Sequence, residues 1–158
     1  MNKDHGIAVV EILVVIAIIG IAMFSLYELL LVSRNSTSRE LRRTQALSLA
    51  QEGLEAVRNI RDQGWSENIT PLNTSATYYA TLSGSAWTLT SVNPGPIDTL
   101  FTRTLTFANV NRDADSNISP TGTDDPNTRK VTSTVTWLDR GSSRTVSLAT
   151  NMTNFLDN

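Results

Sequence analysis

Hydrophobic residues are concentrated at the beginning of the chain. Between residues 12 and 24 no side chain is charged or strongly polar, and after Ser25 and Glu28 the apolar character resumes through Val32. A helix needs about 20 mostly apolar residues to cross the ~30 Å hydrocarbon layer of a membrane, so this pattern predicts a membrane-spanning helix. Glu11 interrupts the pattern, because a carboxylate in such a helix costs roughly 2.5–3.5 kcal/mol on insertion scales.

A second helical segment is predicted from Thr44 to Asp62, which is rich in good helix formers such as Ala, Leu, Gln and Glu. We interpret its apolar stripe, which has helical spacing, as the face that packs on a sheet. The stripe consists of Leu47, Ala50, Leu54, Val57 and Arg61, with Ile60 adjoining. The intervening stretch Ser33–Ser38 has poor helix propensity, so either a bend or a continuous helix is predicted there.

Beyond Gly64 the chain becomes rich in serine and threonine and alternates between apolar and polar residues, which predicts half-buried strands. The predicted strands are Ala76–Leu82, Ala86–Val92, Leu100–Ala108, Lys130–Leu138 and Arg144–Met152. Gly141 indicates a tight turn between the last two. A helix followed by an antiparallel sheet that covers its apolar stripe is an α+β fold. Trp65, Trp87 and Trp137 are interpreted as core residues, with an aromatic ligand platform as the alternative.

Composition narrows the range of functions. The chain has 158 residues, a formal net charge of −2 and no cysteine. This length suits one modest domain plus an anchor, and the near-neutral charge gives no basic face for direct nucleic-acid binding. Thiol chemistry and disulfides are excluded. The one histidine is His5, and no nucleophile elbow, P-loop or dinucleotide-binding glycine pattern occurs, so we predict that the chain is not an enzyme.

One acidic loop has the oxygen ligands of a calcium site. Asp113, Asp115 and Asn117 occupy alternate positions, and Asp124 stands twelfth in the loop, where an EF-hand places its last ligand. The loop departs from that pattern at its sixth position, where Ile118 replaces glycine. Calcium at these four residues is therefore one prediction, and a solvated acidic turn without any cofactor is the other.

The start of the chain resembles the N-terminal signal of type IV prepilins and of the pseudopilins of type II secretion. A short polar leader ends in Gly6, Ile7 follows, and Glu11 stands fifth after the glycine. The resemblance implies a prepilin peptidase that cuts between Gly6 and Ile7, N-methylation of Ile7, and pairing of Glu11 with the terminal amine of a neighbouring subunit. Ala8 and Val9 depart from the Thr or Ser and the Leu that are usual there.

The resemblance also implies an organisation and a set of partners. Residues 1–6 would be the leader, 7–32 the membrane and filament-core helix, 33–63 its amphipathic continuation, and 64–158 a β-rich head. Residues 46–55 are similar to the corresponding stretch of minor pilins and minor pseudopilins. The expected partners are other pilin or pseudopilin subunits, the prepilin peptidase, the inner-membrane assembly platform and, before assembly, membrane lipid.

Two other interpretations stay open. A single-pass anchor that carries an extracellular binding module would keep Met1 and tolerate loss of Glu11, whereas a secreted domain would begin after the apolar run. The head is expected outside the cytoplasmic membrane, and later in a pilus or pseudopilus. The positive-inside rule favours the reverse orientation, because four arginines follow the span and one lysine, Lys3, precedes it. The arginines are Arg34, Arg39, Arg42 and Arg43.

Overall fold

The computed structural model describes residues 4–158, except for the side chains of residues 4–8, 32 and 35. Helix α1 runs from Asp4 to Asp62 without a break. In the stretch of poor helix propensity, the hydroxyl of Thr37 donates to the carbonyl of Ser33 (3.1 Å) and that of Ser38 to Arg34 (3.1 Å). These bonds satisfy the polar side chains on the backbone of their own helix. Of the two alternatives predicted for this stretch, a bend or a continuous helix, the continuous helix is therefore confirmed.

The chain divides into two compact units, with the boundary between Arg42 and Arg43. The first unit consists of the N-terminal part of α1, and its described side chains are exposed from Val9 through Leu41. The second unit begins with the rest of α1 and contains a buried core of its own.

The second unit is a sheet with one helix packed on it, the α+β architecture that the sequence predicts. After α1 come a short helix, α2 (Trp65–Asn68), and six strands. The strands are β1 (Thr77–Ser83), β2 (Ala86–Thr90), β3 (Thr102–Arg112), β4 (Ile118–Ser119), β5 (Thr123–Asp139) and β6 (Ser142–Thr153). They pair antiparallel in the order β2-β1-β3-β5-β6, and β4 adds to the end of β3.

All five predicted strands are present, and the short strand β4 was not predicted. β2 ends two residues early, at Thr90, β6 is three residues longer than predicted, and β3 and β5 are extended further. β3 continues past Ala108 to Arg112, and β5 begins at Thr123, well before Lys130. Apart from the buried Val110 and a proline, the added residues are polar, so no run of alternating hydrophobic residues marks them. They are held by backbone pairing across a bulge between Asn109 and Asn111 and by an ion pair from Arg112 to β5.

The predicted turn between the last two strands is confirmed as a two-residue hairpin. Asp139 pairs with Ser142, and the two residues between them, Arg140 and Gly141, have φ angles of 52° and 80°. Two consecutive positive φ values are typical of the type I′ turn, whose twist matches that of the strands it joins.

The core lies between the sheet and the C-terminal part of α1. One buried cluster consists of Leu54, Val57, Ile60, Trp65, Ile69, Leu105, Phe107, Val131 and Met152, and a second of Ala46, Ala50, Phe101, Val135 and Trp137. The core interpretation of the tryptophans is confirmed for Trp65 and Trp137, and Trp87 is half-buried against the first cluster. The helix stripe is centred slightly differently from the prediction, because Ala46 and Gly53 are buried while Leu47 is half-buried.

Helix α1 lies close against the sheet at Gly53. A Cβ atom at this position would lie 2.5 Å from the hydroxyl oxygen of Ser133 and 2.9 Å from Cδ of Arg103. Both distances are shorter than van der Waals contact, so a side chain here would force the helix away from β3 and β5. Glycine is thus required by proximity at this point of the helix.

Candidate functional site

The apolar segment of α1 presents hydrophobic side chains all around the helix. Its large apolar residues between Val9 and Leu31 are each at least 44% exposed. Among the described residues, one helix is long and apolar enough to cross a membrane, and it is α1. The hydroxyl of Ser25 donates to the carbonyl of Ile21 (2.9 Å), so this polar group is satisfied within the helix, as a hydrocarbon environment requires.

Glu11 lies on this apolar segment and its side chain is exposed. The residues one helical turn further along, Val14 and Val15, are apolar, so neither supplies a cation to Glu11. Glu28 is the other acidic residue between positions 9 and 31. Glu11 therefore presents a carboxylate on a surface that is otherwise suited to lipid or to other apolar helices.

The predicted cleavage and methylation positions belong to the same helix by their backbone. Gly6 and Ile7 lie within α1, which begins at Asp4, but their side chains lie outside the described part of the chain. Residues 1–3 of the predicted leader are also outside it. Processing at this bond stays a prediction.

The first three predicted calcium ligands lie in the turn that follows β3. The carboxylate of Asp113 accepts hydrogen bonds from the backbone N–H groups of Asp115 (3.0 Å) and Asn117 (2.8 Å). The backbone N–H of Asp113 in turn donates to the carbonyl of Asn117 (3.0 Å), and Ser116 adopts a left-handed conformation with φ of 64°. This carboxylate caps its own turn, as aspartate commonly does in loops.

The fourth predicted ligand, Asp124, belongs to β5, where it pairs with Asn111. Among the described residues, no group of three or more His, Cys, Asp or Glu side chains is arranged to hold a metal ion. The loop contains a cation of its own, because the guanidinium of Arg112 donates to the carbonyl of Ser116 (2.8 Å) and to the carboxylate of Asp125 (2.6 Å). Calcium binding stays a prediction.

Asp125 lies in a network of hydrogen bonds at the start of β5. Its oxygens accept hydrogen bonds from the hydroxyl of Thr128 (2.7 Å), from Arg112, and from the backbone N–H of Asn127 (3.0 Å). These bonds, that of Thr128 foremost, favour the charged form and hold the pKa of Asp125 below its ordinary value of 3.8. The network fixes the start of β5 against the end of β3.

Sequence reasoning missed the buried arginine of β3. The Arg103 side chain is 4% exposed and donates to a carboxylate oxygen of Glu52 (2.9 Å) and to the carbonyl of Leu49 (3.1 Å), both on α1. Its guanidinium also lies over the indole of Trp87, 5.7 Å from the ring centre. A signal was present, because position 103 shares the strand face of Phe101 and Leu105, where a charged residue needs a partner.

A shallow groove opens beside this arginine, between α1 and strand β2. It has a volume of about 420 Å³. Its lining residues are Glu52, Glu55, Arg58, Asn59, Arg61, Asp62 and Trp87. Apart from the indole, the groove is lined by charged and amide groups of a single helix. We refer to it below as the α1–β2 groove.

Comparisons with known proteins gave no match: neither a protein-family model, nor a curated protein, nor a solved structure corresponds to this chain. The function proposed below is therefore argued from the residues and their arrangement.

Proposed function

We propose that the protein is a structural subunit of a type IV pilus or of a type II secretion pseudopilus. The observation that carries this proposal is Glu11, an exposed carboxylate on a helix segment whose surface is otherwise apolar. The Gly6–Glu11 spacing is that of the prepilin signal, and the fold of one long helix packed on an antiparallel sheet is the one this class is expected to have.

Electrostatics explains why Glu11 suits a filament. A lone carboxylate near the middle of a membrane costs roughly 2.5–3.5 kcal/mol, and a lone ammonium costs a similar amount. Cleavage after Gly6 would create such an ammonium at Ile7. When two processed subunits pack side by side, the amine of one helix and Glu11 of the next neutralise each other, and their pairing fixes the axial register of the helices.

Hydrophobicity also favours the transfer of the helix from the membrane into a filament. The exposed apolar side chains of α1 are as well solvated by lipid as by other apolar helices, so leaving the membrane for a bundle of identical helices keeps them out of water. The subunit would be stored in the cytoplasmic membrane with its head outside, and the inner-membrane assembly platform would extract it. The similarity of residues 46–55 favours a minor subunit.

The experiment that tests this proposal is mass determination of the N-terminus in protein recovered from membranes and from sheared surface material. A start at methylated Ile7 would support the proposal. An intact Met1 would contradict it and favour a membrane-anchored binding module, and a start beyond the apolar segment would indicate a secreted domain.

Replacement of Glu11 separates the filament subunit from the anchor. In a filament subunit, Glu11→Ala should leave cleavage at Gly6 intact and abolish incorporation into filaments, since the terminal amine loses its partner. In an anchored module the same variant should insert and function normally. Gly6→Leu is the matched control, because it should block cleavage and leave the membrane segment apolar.

A further inference from the structure

The α1–β2 groove has a fixed aromatic surface. Trp87 is half-buried, and one face of its ring is covered by the guanidinium of Arg103. That arginine is itself held by Glu52 and by the Leu49 carbonyl, so the indole rests on a rigid support. Trp87 also lines the groove, so its indole contributes an aromatic surface there.

The charges of the groove cancel once Arg103, which lies behind the lining residues, is counted with them. Glu52 pairs with Arg103 (2.9 Å), Glu55 with Arg58, and Asp62 with Arg61 (2.8 Å). An ion would meet no net attraction from these pairs. The carboxylates nevertheless keep free acceptor positions and the guanidinium groups keep free donors, because each group can form more hydrogen bonds than its ion pair uses.

The amide of Asn59 completes the polar side of the groove. It lies one turn from both Glu55 and Asp62, and its side-chain oxygen accepts a hydrogen bond from Gln63 (2.8 Å). The groove thus combines one aromatic face with a row of planar hydrogen-bonding groups that are neutral in sum. This combination suits a ligand with an apolar C–H face and many hydroxyl groups.

We propose that the α1–β2 groove binds a neutral carbohydrate. A pyranose ring would place its C–H face on the indole of Trp87, and its hydroxyl groups would hydrogen-bond to Glu55, Arg58 and Asn59. The volume of about 420 Å³ lies within the range of small-molecule sites. This proposal does not depend on a filament role, because every residue of the groove belongs to the second unit.

The test is a binding screen of the full chain, purified in lauryldimethylamine oxide, a detergent without a sugar headgroup. Immobilised neutral hexose and N-acetylhexosamine oligosaccharides and uronate oligosaccharides serve as probes, and the best soluble one is then titrated by calorimetry. We expect saturable binding of a neutral oligosaccharide, and a loss of about tenfold in affinity for Trp87→Ala, as for one stacking contact. Trp87→Phe should retain most of the affinity.

Asn59→Ala provides a second variant that does not disturb the core, because Asn59 is exposed. It should also weaken binding, while its circular dichroism spectrum stays that of the unmodified chain. Leu138→Ala is the control for loss of an exposed apolar side chain, since Leu138 lies at the β5–β6 turn and not in the groove.

Three results would overturn the proposal. The first is that no oligosaccharide binds at millimolar concentration. The second is that binding is unchanged in both Trp87→Ala and Asn59→Ala. The third is that uronates alone bind and that salt abolishes their binding, since an electrostatic site for anions would then explain the result.

Discussion

Replacement of Gly53 by alanine tests whether α1 and the sheet are in contact at that glycine. The added methyl carbon would stand 2.5 Å from the Ser133 hydroxyl oxygen and 2.9 Å from Cδ of Arg103. Arg103 cannot easily move away, because its guanidinium is held by Glu52 and by the Leu49 carbonyl. The helix or the serine must therefore shift.

The expected magnitude is a difference between two effects. Alanine in place of glycine stabilises a helix by about 0.8–1 kcal/mol. Overpacking in a well-packed core typically costs about 1–3 kcal/mol. We therefore expect Gly53→Ala to lower the free energy of unfolding by about 1 kcal/mol, the difference between the middle values of the two ranges, even though it improves the helix propensity.

A double-mutant cycle with Ser133 isolates the contact. The Ser133 hydroxyl is buried and has no hydrogen-bond partner within the described structure, so Ser133→Ala alone should be neutral or slightly stabilising. It also removes the nearest atom and leaves Cβ of residue 133 at 3.4 Å from the new methyl group. In this background part of the cost of Gly53→Ala should disappear, and the part that comes from Cδ of Arg103 should remain.

The assay is urea unfolding of the full chain in detergent, followed by tryptophan fluorescence, because Trp65 and Trp137 are buried in the second unit. Gly20→Ala is the matched control, since a Cβ atom there meets nothing within 4 Å. The reasoning is refuted if Gly53→Ala is as stable as the unmodified chain, or if Gly53→Ala costs as much in the Ser133→Ala background as it does alone.

Three further predictions concern charged groups. For Asp125, the pKa is lowered in the folded chain, so its stabilisation should be complete above the ordinary value of 3.8 and be lost as the pH falls through the folded pKa. Urea midpoints of Asp125→Asn and the unmodified chain should therefore differ most at neutral pH and converge once the pH is below the lowered pKa. Glu52→Ala should lower the free energy of unfolding by about 1–2 kcal/mol, because the buried Arg103 loses its carboxylate partner. The double variant Glu52→Ala/Arg103→Met should recover part of this loss. If thermal unfolding shows that the losses from the two substitutions simply add, the prediction is contradicted. If the chain is a filament subunit, Glu11→Gln should be processed normally but be nearly absent from sheared filaments, and normal incorporation, measured by immunoblot, would exclude charge pairing.

The amino-acid sequence was sufficient to predict those helices and strands that are marked by a pattern in neighbouring residues. The helix end at Asp62, the centres of the strands and the β5–β6 turn follow from propensity, alternation and the glycine at position 141. The extensions of β3 and β5 could not be predicted, because they depend on pairing partners and on the Arg112–Asp125 ion pair. That pair joins residues whose neighbours in the sequence look like loop.

The candidate sites also fall into two groups, those that the sequence predicts and those that form only when distant residues meet. Gly6, Ile7 and Glu11 are recognisable from spacing alone, because the signal they resemble is a linear one. The α1–β2 groove could not be predicted, since it forms where the helix around Glu55 meets Trp87 of a strand that follows much later in the sequence. Glycine at position 53 likewise reads as a weak helix residue until the sheet against it is known.

The contacts that cover α1 have a consequence for the order of folding. The bond from Arg103 to the Leu49 carbonyl joins residues 54 positions apart, whereas the β5–β6 hairpin closes over a two-residue turn. Closing the longer loop costs more chain entropy, so we expect the hairpin to form early and the helix to dock late. Until then the apolar stripe around Ala50 and Val57 stays exposed to water, on the same helix as the apolar N-terminal segment. A chain emerging at a membrane would therefore be most vulnerable to aggregation and proteolysis in the interval before β3 reaches the helix.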